Sequence, residues 1–351
     1  MMGFKIERVP APYWVRALLP FAAVLITFLI TSTLVLMVNA NPFSAYYYFL
    51  IDPLSSQVSA IEVLVKATPL LLTGAAVTFA FIGGFWNIGA EGQLLAGATA
   101  ATAIGIQMEG VSPWIAIPAM IIGGFLAGML WVLIPALMKV KLAIDEVVTT
   151  LLLNSVALLF VSALLNGPWR NPVSMWPQSP EIAASAIFPK LIPRSRLHLG
   201  FLLAVFIIVV VWFVLTRTAF GLRMRAVGMG PDAARFSGIN VERTMLISAL
   251  VSGGIAGLAG VSEVGGIHYH MIDAISAGYG YTGIIIATLG TLNAWGVAIA
   301  AIFIGLIDTG GQTVSRAMGV PSYLGDVIQA TLLLVTLGIL LLQRYRIRRV
   351  K

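Results

Sequence analysis

Residues 110–138 read GVSPWIAIPAMIIGGFLAGMLWVLIPALM, a run without a single Asp, Glu, Lys or Arg that is closed by Lys139 and Lys141. A helix needs about 20 apolar residues to cross the hydrocarbon layer of a bilayer. This run is long enough, and comparable charge-free runs fill residues 17–51, 67–90, 92–108, 147–169, 197–216, 244–262, 274–307 and 327–343. The chain of 351 residues is 59% hydrophobic and only 10% charged, with a mean hydropathy of +0.97. Its solvent is lipid. No stretch between the runs is long enough to bury a water-soluble core of its own, so a membrane anchor carrying a soluble catalytic domain is excluded.

Splitting the longest run near Thr291 to Trp295 yields ten hydrophobic segments, at about 16–38, 61–83, 86–107, 113–138, 143–165, 199–216, 244–264, 277–291, 295–312 and 323–343. The expected fold is an all-α polytopic membrane protein of about ten transmembrane segments, some broken or short, forming a single domain over 1–351. Residues 17–38 are too long for the apolar core of a signal peptide and read as a retained span. Basic residues orient the spans. Lys5, Arg8 and Arg16 precede the first, and Arg344, Arg346, Arg348, Arg349 and Lys351 follow the last, so both termini are expected in the cytoplasm. An even count then keeps Lys139, Lys141 and the loop 217–243 inside. The loop 166–197 falls outside, although it carries Arg170, Lys190, Arg194 and Arg196 against Glu181 alone. The net charge of +7 is therefore mostly topological, and nucleic acid is not an expected partner.

Several chemistries drop out. There is no cysteine, hence no disulfide, thiolate metal site or Cys nucleophile. No Gly-Lys pair exists, so the chain has no P-loop, and any ATP-driven work requires a partner. His268, His270 and Asp273 lie close together in an outside loop without further ligands, and no metal site is expected from them. The same three residues are the only candidates for a membrane enzyme.

The inside loop reads RTAFGLRMRAVGMGPDAARFSGINVER over 217–243. Gly230, Pro231 and Asp232 make a helix start: proline suits the first turn and the carboxylate suits its positive end. Ala233, Ala234, Arg235, Phe236 and Ser237 continue it, and Gly238 can end it. A helix of about two turns outside the bilayer, with Phe236 as an apolar knob, is better suited to docking than to solvation. A second segment, GGFWNIGAEGQLLAG over 83–97, sets Asn87, Glu91 and Gln93 into an apolar, glycine-loosened stretch. Such residues either glue helices together or line a passage through a broken helix. The glycine-bounded stretch GYGYTGIIIATLGTLNAWG over 278–296 is its expected counterpart in the second half. Candidate passage residues are Trp86, Asn87, Glu91, Gln93, Asn154 and Tyr281. Gly124 with Gly128, and Gly253 with Gly257, are spaced for close helix packing.

With VKATPLLLTGAAVTFAF (65–81), FWNIGAEGQLLAGA (85–98), DEVVTTLLLNSVA (145–157), GLRMRAVGMGPDAARFSGINVER (221–243) and GYGYTGIIIATLGTLNAWGV (278–297), the chain resembles the membrane permease subunits of bacterial ABC importers in the ribose and branched-chain amino acid group. NIGAEGQ and GYGYTGI look most like the nucleoside-importing subset, in which two related permeases pair. The resemblance implies a multi-pass permease in the bacterial plasma membrane, without catalytic residues or cofactors of its own. Its partners would be a second permease subunit, a cytoplasmic ABC ATPase holding ATP and Mg, and an external solute-binding lipoprotein. The helix at Pro231 to Ser237 would be the coupling helix, with Phe236 as anchor and Arg223, Arg225 and Arg235 around it. Asn293 is followed by Ala294 where relatives commonly have proline, which implies a softer kink, and the 166–197 loop is longer than expected of the group. Ribose-type sugars or branched-chain amino acids are alternative solutes, and an ion-coupled secondary transporter is the alternative mechanism.

Overall fold

The computed structural model describes residues 3–8, 13–171, 175–319, 321 and 323–350. Its elements in chain order are β1 (Gly3–Arg8), α1 (Tyr13–Met37), α2 (Pro42–Leu50), α3 (Asp52–Ser55), α4 (Gln57–Ile82), α5 (Ala90–Ile106), α6 (Pro113–Leu142), α7 (Glu146–Asn166), α8 (Leu199–Arg217), α9 (Ala219–Met229), α10 (Pro231–Phe236), α11 (Val241–Glu263), α12 (Tyr279–Leu289), α13 (Ala294–Met318), α14 (Leu324–Arg344) and β2 (Tyr345–Val350). A helix occupies every one of the ten hydrophobic segments. Among the described residues six helices are long and apolar enough to cross a membrane, and up to seven if residues 21–37 and α2, bent by 120° at their junction, count as one. α12, at 11 residues, is about 16 Å long and cannot span by itself.

Two compact units make up the chain: residues 1–59 with 306–351, and residues 60–305. In the first, β1 and β2 pair antiparallel from Gly3 opposite Val350 to Arg8 opposite Tyr345. This ribbon departs from the all-helical expectation. Both tails leave the helical segments with unpaired backbone N–H and C=O groups, and each supplies the other's partners. In the same unit α2 folds back beside α1, and the Tyr46 hydroxyl donates to the carbonyl of Phe28 (2.6 Å).

The second unit is built around α11. Helices α6, α7 and α8 each bury only a narrow stripe, which on α6 is Ala116, Met120, Gly124, Gly128, Val132 and Ala136 at every fourth position. The remaining faces of these helices are Leu, Ile, Val and Phe, as lipid-facing surfaces require. By contrast α4 and α11 are buried over most of their length. Helix α11 packs on α5 and α6 with backbone directly against backbone at its glycines. A Cβ on Gly257 would run into the carbonyl oxygen of Gly124, one on Gly128 into that of Gly253, and one on Gly97 into Gly257 itself. The paired glycines of α6 and α11 thus face each other, which lets the backbones approach as in small-xxx-small membrane interfaces.

The segment between α7 and α8 ends at His198, which caps α8 by accepting from the N–H of Gly200 through Nδ1 (3.1 Å). Burial pushes its imidazole down from 6.5 to about 4. The folded state therefore takes up its proton later than the unfolded one, and stability should fall as pH drops from 6.5 towards 4. His198→Asn, which keeps a capping acceptor but does not titrate, should flatten that part of the profile in thermal unfolding of the solubilised protein. Glycine packing yields a second test. Gly257→Ala should cost about 1–3 kcal/mol by overpacking, whereas Gly338→Ala in α14, where a Cβ meets open space, should be neutral or stabilising by up to about 1 kcal/mol.

Candidate functional site

Between α4 and α5 the chain is not helical over residues 83–89, and this break lies among buried neighbours. Gly84 takes φ +79, a conformation that favours glycine, and turns the chain back after α4. Phe85 is fully buried with Ala80, Val132, Ala136 and Ala249. Trp86 points the other way, 53% exposed, with its ring tilted at 49° against Phe81 and the centroids 4.6 Å apart.

The polar residues of this segment are brought together. Asn87 and Gln93 form a reciprocal amide pair, each donating to the other at 2.8 Å. The second amide proton of Asn87 goes to the Ser252 hydroxyl of α11 (2.9 Å), which donates in turn to the carbonyl of Ala76 in α4 (2.6 Å). Asn87 Oδ1 also accepts from the N–H of Gly89 (3.0 Å). All four hydrogen-bonding positions of this amide are thereby filled. Asn154 of α7 accepts from the N–H of Gly92 (2.9 Å) and donates to the carbonyl of Ile88 (3.0 Å), tying α7 to the break. Asn87, Gln93 and Asn154 are all buried. In this conformation they face one another and the backbone.

Glu146 is a residue whose part in the site the sequence does not reveal. Asp145 caps α7, accepting from the N–H of Val147 (2.8 Å). Glu146 turns inward, accepts from the N–H of Trp86 (3.3 Å) and pairs with Lys139 Nζ at 2.6 Å. Thr150, one turn on, accepts from the N–H of Ile88 (3.3 Å).

The two glycine-bounded segments meet at their helix starts. Glu91, in the first turn of α5, accepts from the N–H of Gly280 in the first turn of α12 (2.7 Å), and the Ser276 side chain bonds the same carboxylate. Ser276 also accepts from the N–H groups of Gly278 and Tyr279. Gly280 has no room for a Cβ because Ala90 and Glu91 lie against it. One carboxylate therefore sits between two positive helix ends. Tyr281, beside this junction, is 42% exposed. At its far end α12 gives way to α13 through Thr291 and Leu292, both at positive φ, and Asn293 accepts from the N–H groups of Trp295 and Gly296.

On the other side of the break lies the 217–243 segment. Helix α10 spans Pro231–Phe236, with Gly230 before it and Gly238 just past its end at φ +79. Ala234 faces inward and packs with Val227 and Val241, while Phe236 points away and is 95% exposed. Asp232 and Arg235 pair along its surface at 3.1 Å, and Arg223, Arg225, Pro231, Ala233 and Ser237 are exposed. The preceding residues also form a helix, α9, capped by the Thr218 hydroxyl. Arg223 and Arg225 mask its apolar stripe in the sequence. Gly228 of α9 lies against the carbonyl of Ile82 and 3.3 Å from where a Cβ on Gly84 would lie. The exposed helix and the polar break are thus linked by direct packing through α9.

Residues 59–337 match the family described as branched-chain amino acid transport system / permease component. A glucose ABC transporter permease protein of Haloferax volcanii is 34% identical, over 97% of this chain and 92% of its own length. A guanosine ABC transporter permease protein of Bacillus subtilis is 32% identical, over 90% and 92%. A nucleoside ABC transporter permease protein of Lactococcus lactis is 29% identical, over 91% and 90%. The chain belongs to this family: it is the membrane-spanning permease component of an ABC importer, which provides the passage while a separate subunit hydrolyses ATP.

Proposed function

We propose that this permease carries a nucleoside or a related sugar-containing solute, and that the cytoplasmic ATPase drives it by gripping α10. The observation that carries the drive is the packing chain from α10 through Val227 and Gly228 of α9 to Ile82 and Gly84 at the head of the break. A displacement of α10 passes through the close-packed side chains of Ala234 and Val227 and then through the backbone contact of Gly228 with Ile82 and Gly84, so it moves the break as a rigid body. Phe236, 95% exposed, is the anchor that enters a pocket of the ATPase, and Arg223, Arg225 and Arg235 surround it.

The solute assignment draws on the relatives named for guanosine, nucleosides and glucose, whose common feature is a hydroxyl-rich ring. Trp86 and Tyr281 offer exposed rings to a base. Asn87 has all four of its amide positions filled within the protein, so it meets a solute only by exchanging partners when the break moves. Gln93 and Asn154 are buried beside the break, and Glu91 holds the α5–α12 junction. We place both termini and residues 217–243 in the cytoplasm of a bacterial plasma membrane and residues 166–197 outside. Ten membrane segments, some short, form one permease domain that pairs with a second permease subunit and receives solute from an external binding lipoprotein.

Phe236→Asp puts an unpaired charge into an apolar pocket. It should leave membrane insertion intact, abolish co-purification of the ATPase and abolish uptake of labelled guanosine by cells that depend on this gene. Unchanged co-purification and uptake would remove α10 from the coupling role. Loss of glucose or leucine uptake in the gene-deleted strain, with guanosine uptake unaffected, would reassign the solute.

A further inference from the structure

A cavity of about 660 Å³ opens beside α10, between α9 and the start of α11. Arg223 from α9 and Arg243 from α11 both line it, with Phe220 and Ile247 as apolar walls and Asn240 and Thr244 adding polar groups. Two guanidinium groups sharing one cavity repel unless an anion lies between them. The nearby acids are engaged elsewhere: Glu242 pairs with Lys141 at 3.1 Å, and Asp232 with Arg235 at 3.1 Å. Among the described residues neither Arg223 nor Arg243 takes part in an ion pair. The positive start of α11, a 23-residue helix, adds to the same field.

The depth of the cavity names the class of anion. Thr244 and Ile247 lie in the first two turns of α11, a helix able to cross the membrane, and α9 follows immediately on α8, another. The cavity therefore lies at headgroup level, polar on one side and apolar on the other. A phosphate of a membrane lipid arrives at that depth with acyl chains to cover Phe220 and Ile247, whereas a carboxylate from a soluble protein would leave those walls to water. Guanidinium forks suit phosphate oxygens, and basic pockets between membrane helices are a known form of anionic headgroup site.

We propose that this cavity binds the phosphodiester headgroup of an anionic phospholipid, held by Arg223 and Arg243, so that lipid composition bears on the seating of α9 and α10. The proposal goes beyond the coupling reading: it shares Arg223, and Ser237 and Gly238 at the end of α10, with that reading and adds Arg243, which the coupling reading does not use.

The test measures binding of dioctanoyl phosphatidylglycerol, dioctanoyl phosphatidylcholine and inorganic phosphate to the purified full chain by native mass spectrometry. Phosphatidylglycerol should bind saturably and more tightly than phosphatidylcholine, with affinity falling as salt is raised. Arg243→Gln should weaken it about tenfold or more, the loss expected for one charged hydrogen-bonding partner. Arg223→Gln should do the same, and Phe236→Asp should leave it unchanged. Lipid binding is read without the ATPase, so a failure of α10 to couple would not disturb the result. Equal binding of the two lipids, or no effect of Arg243→Gln, would overturn the proposal. Phosphate competing at the lipid's own affinity would make this a free-phosphate site and overturn the lipid assignment. Lost ATPase association in Arg243→Gln with lipid binding intact would make the cavity part of the ATPase interface, which also overturns it.

Discussion

A backbone broken among membrane helices must find hydrogen-bond partners within the protein, and the connection between α4 and α5 is where that requirement falls hardest. Asn87, Gln93, Asn154, Thr150 and Glu146 supply side-chain groups to the backbone or to one another there. Each unsatisfied polar group at this depth would cost several kcal/mol, on the order of the penalty for desolvating an unpaired amide. The break is consequently a rigid knot, held from α7 on one side and from α11, through Ser252, on another. A knot of this kind has few alternatives to its own geometry, which suits a part that must move as a whole between discrete arrangements.

The knot can be held from α11 only because α11 comes so close. Gly97, Gly124, Gly128, Gly253 and Gly257 bring the backbones of α5, α6 and α11 into direct contact, and the three helices pack each against the other two. Beside that cluster Glu91 joins the starts of α5 and α12. At the end where α11 begins, Val227, Ala234 and Val241 fix α9 and α10 to it. Side-chain packing at Val227, Ala234 and Val241, glycine backbone contacts and buried hydrogen bonds thus connect the Phe236 helix to the junction of the two broken segments. In the proposed coupling the permease contributes motion rather than a catalytic group.

The gross architecture was legible because charge and hydropathy alternate so strongly. All ten hydrophobic segments hold helices, and the Gly-Pro-Asp start of α10 falls where those residue types require. The glycine pairs could be assigned to packing by spacing alone, but their partners could not, since Gly124 and Gly257 are far apart in the chain. Partner identity is also what the sequence withholds about the polar residues. Asn87 looks the same whether its amide faces a solute or Gln93 and Ser252, and Ser252 is 165 positions away. Helix α9 was hidden because its arginines interrupt the apolar pattern. Glu146 was hidden behind Asp145, whose capping role accounts for an acidic pair at a helix start. The tail ribbon rests on backbone pairing between the chain's two ends, which side-chain pattern does not register.

The account stands or falls on which side of the membrane α10 occupies. Because the natural chain contains no cysteine, Ala233→Cys, at an exposed position of α10, introduces a single reactive thiol. A membrane-impermeant maleimide should leave that thiol unmodified in intact cells and modify it fully once the membrane is made permeable. Modification in intact cells would put α10 on the outer surface, out of reach of a cytoplasmic ATPase, and would contradict the mechanism.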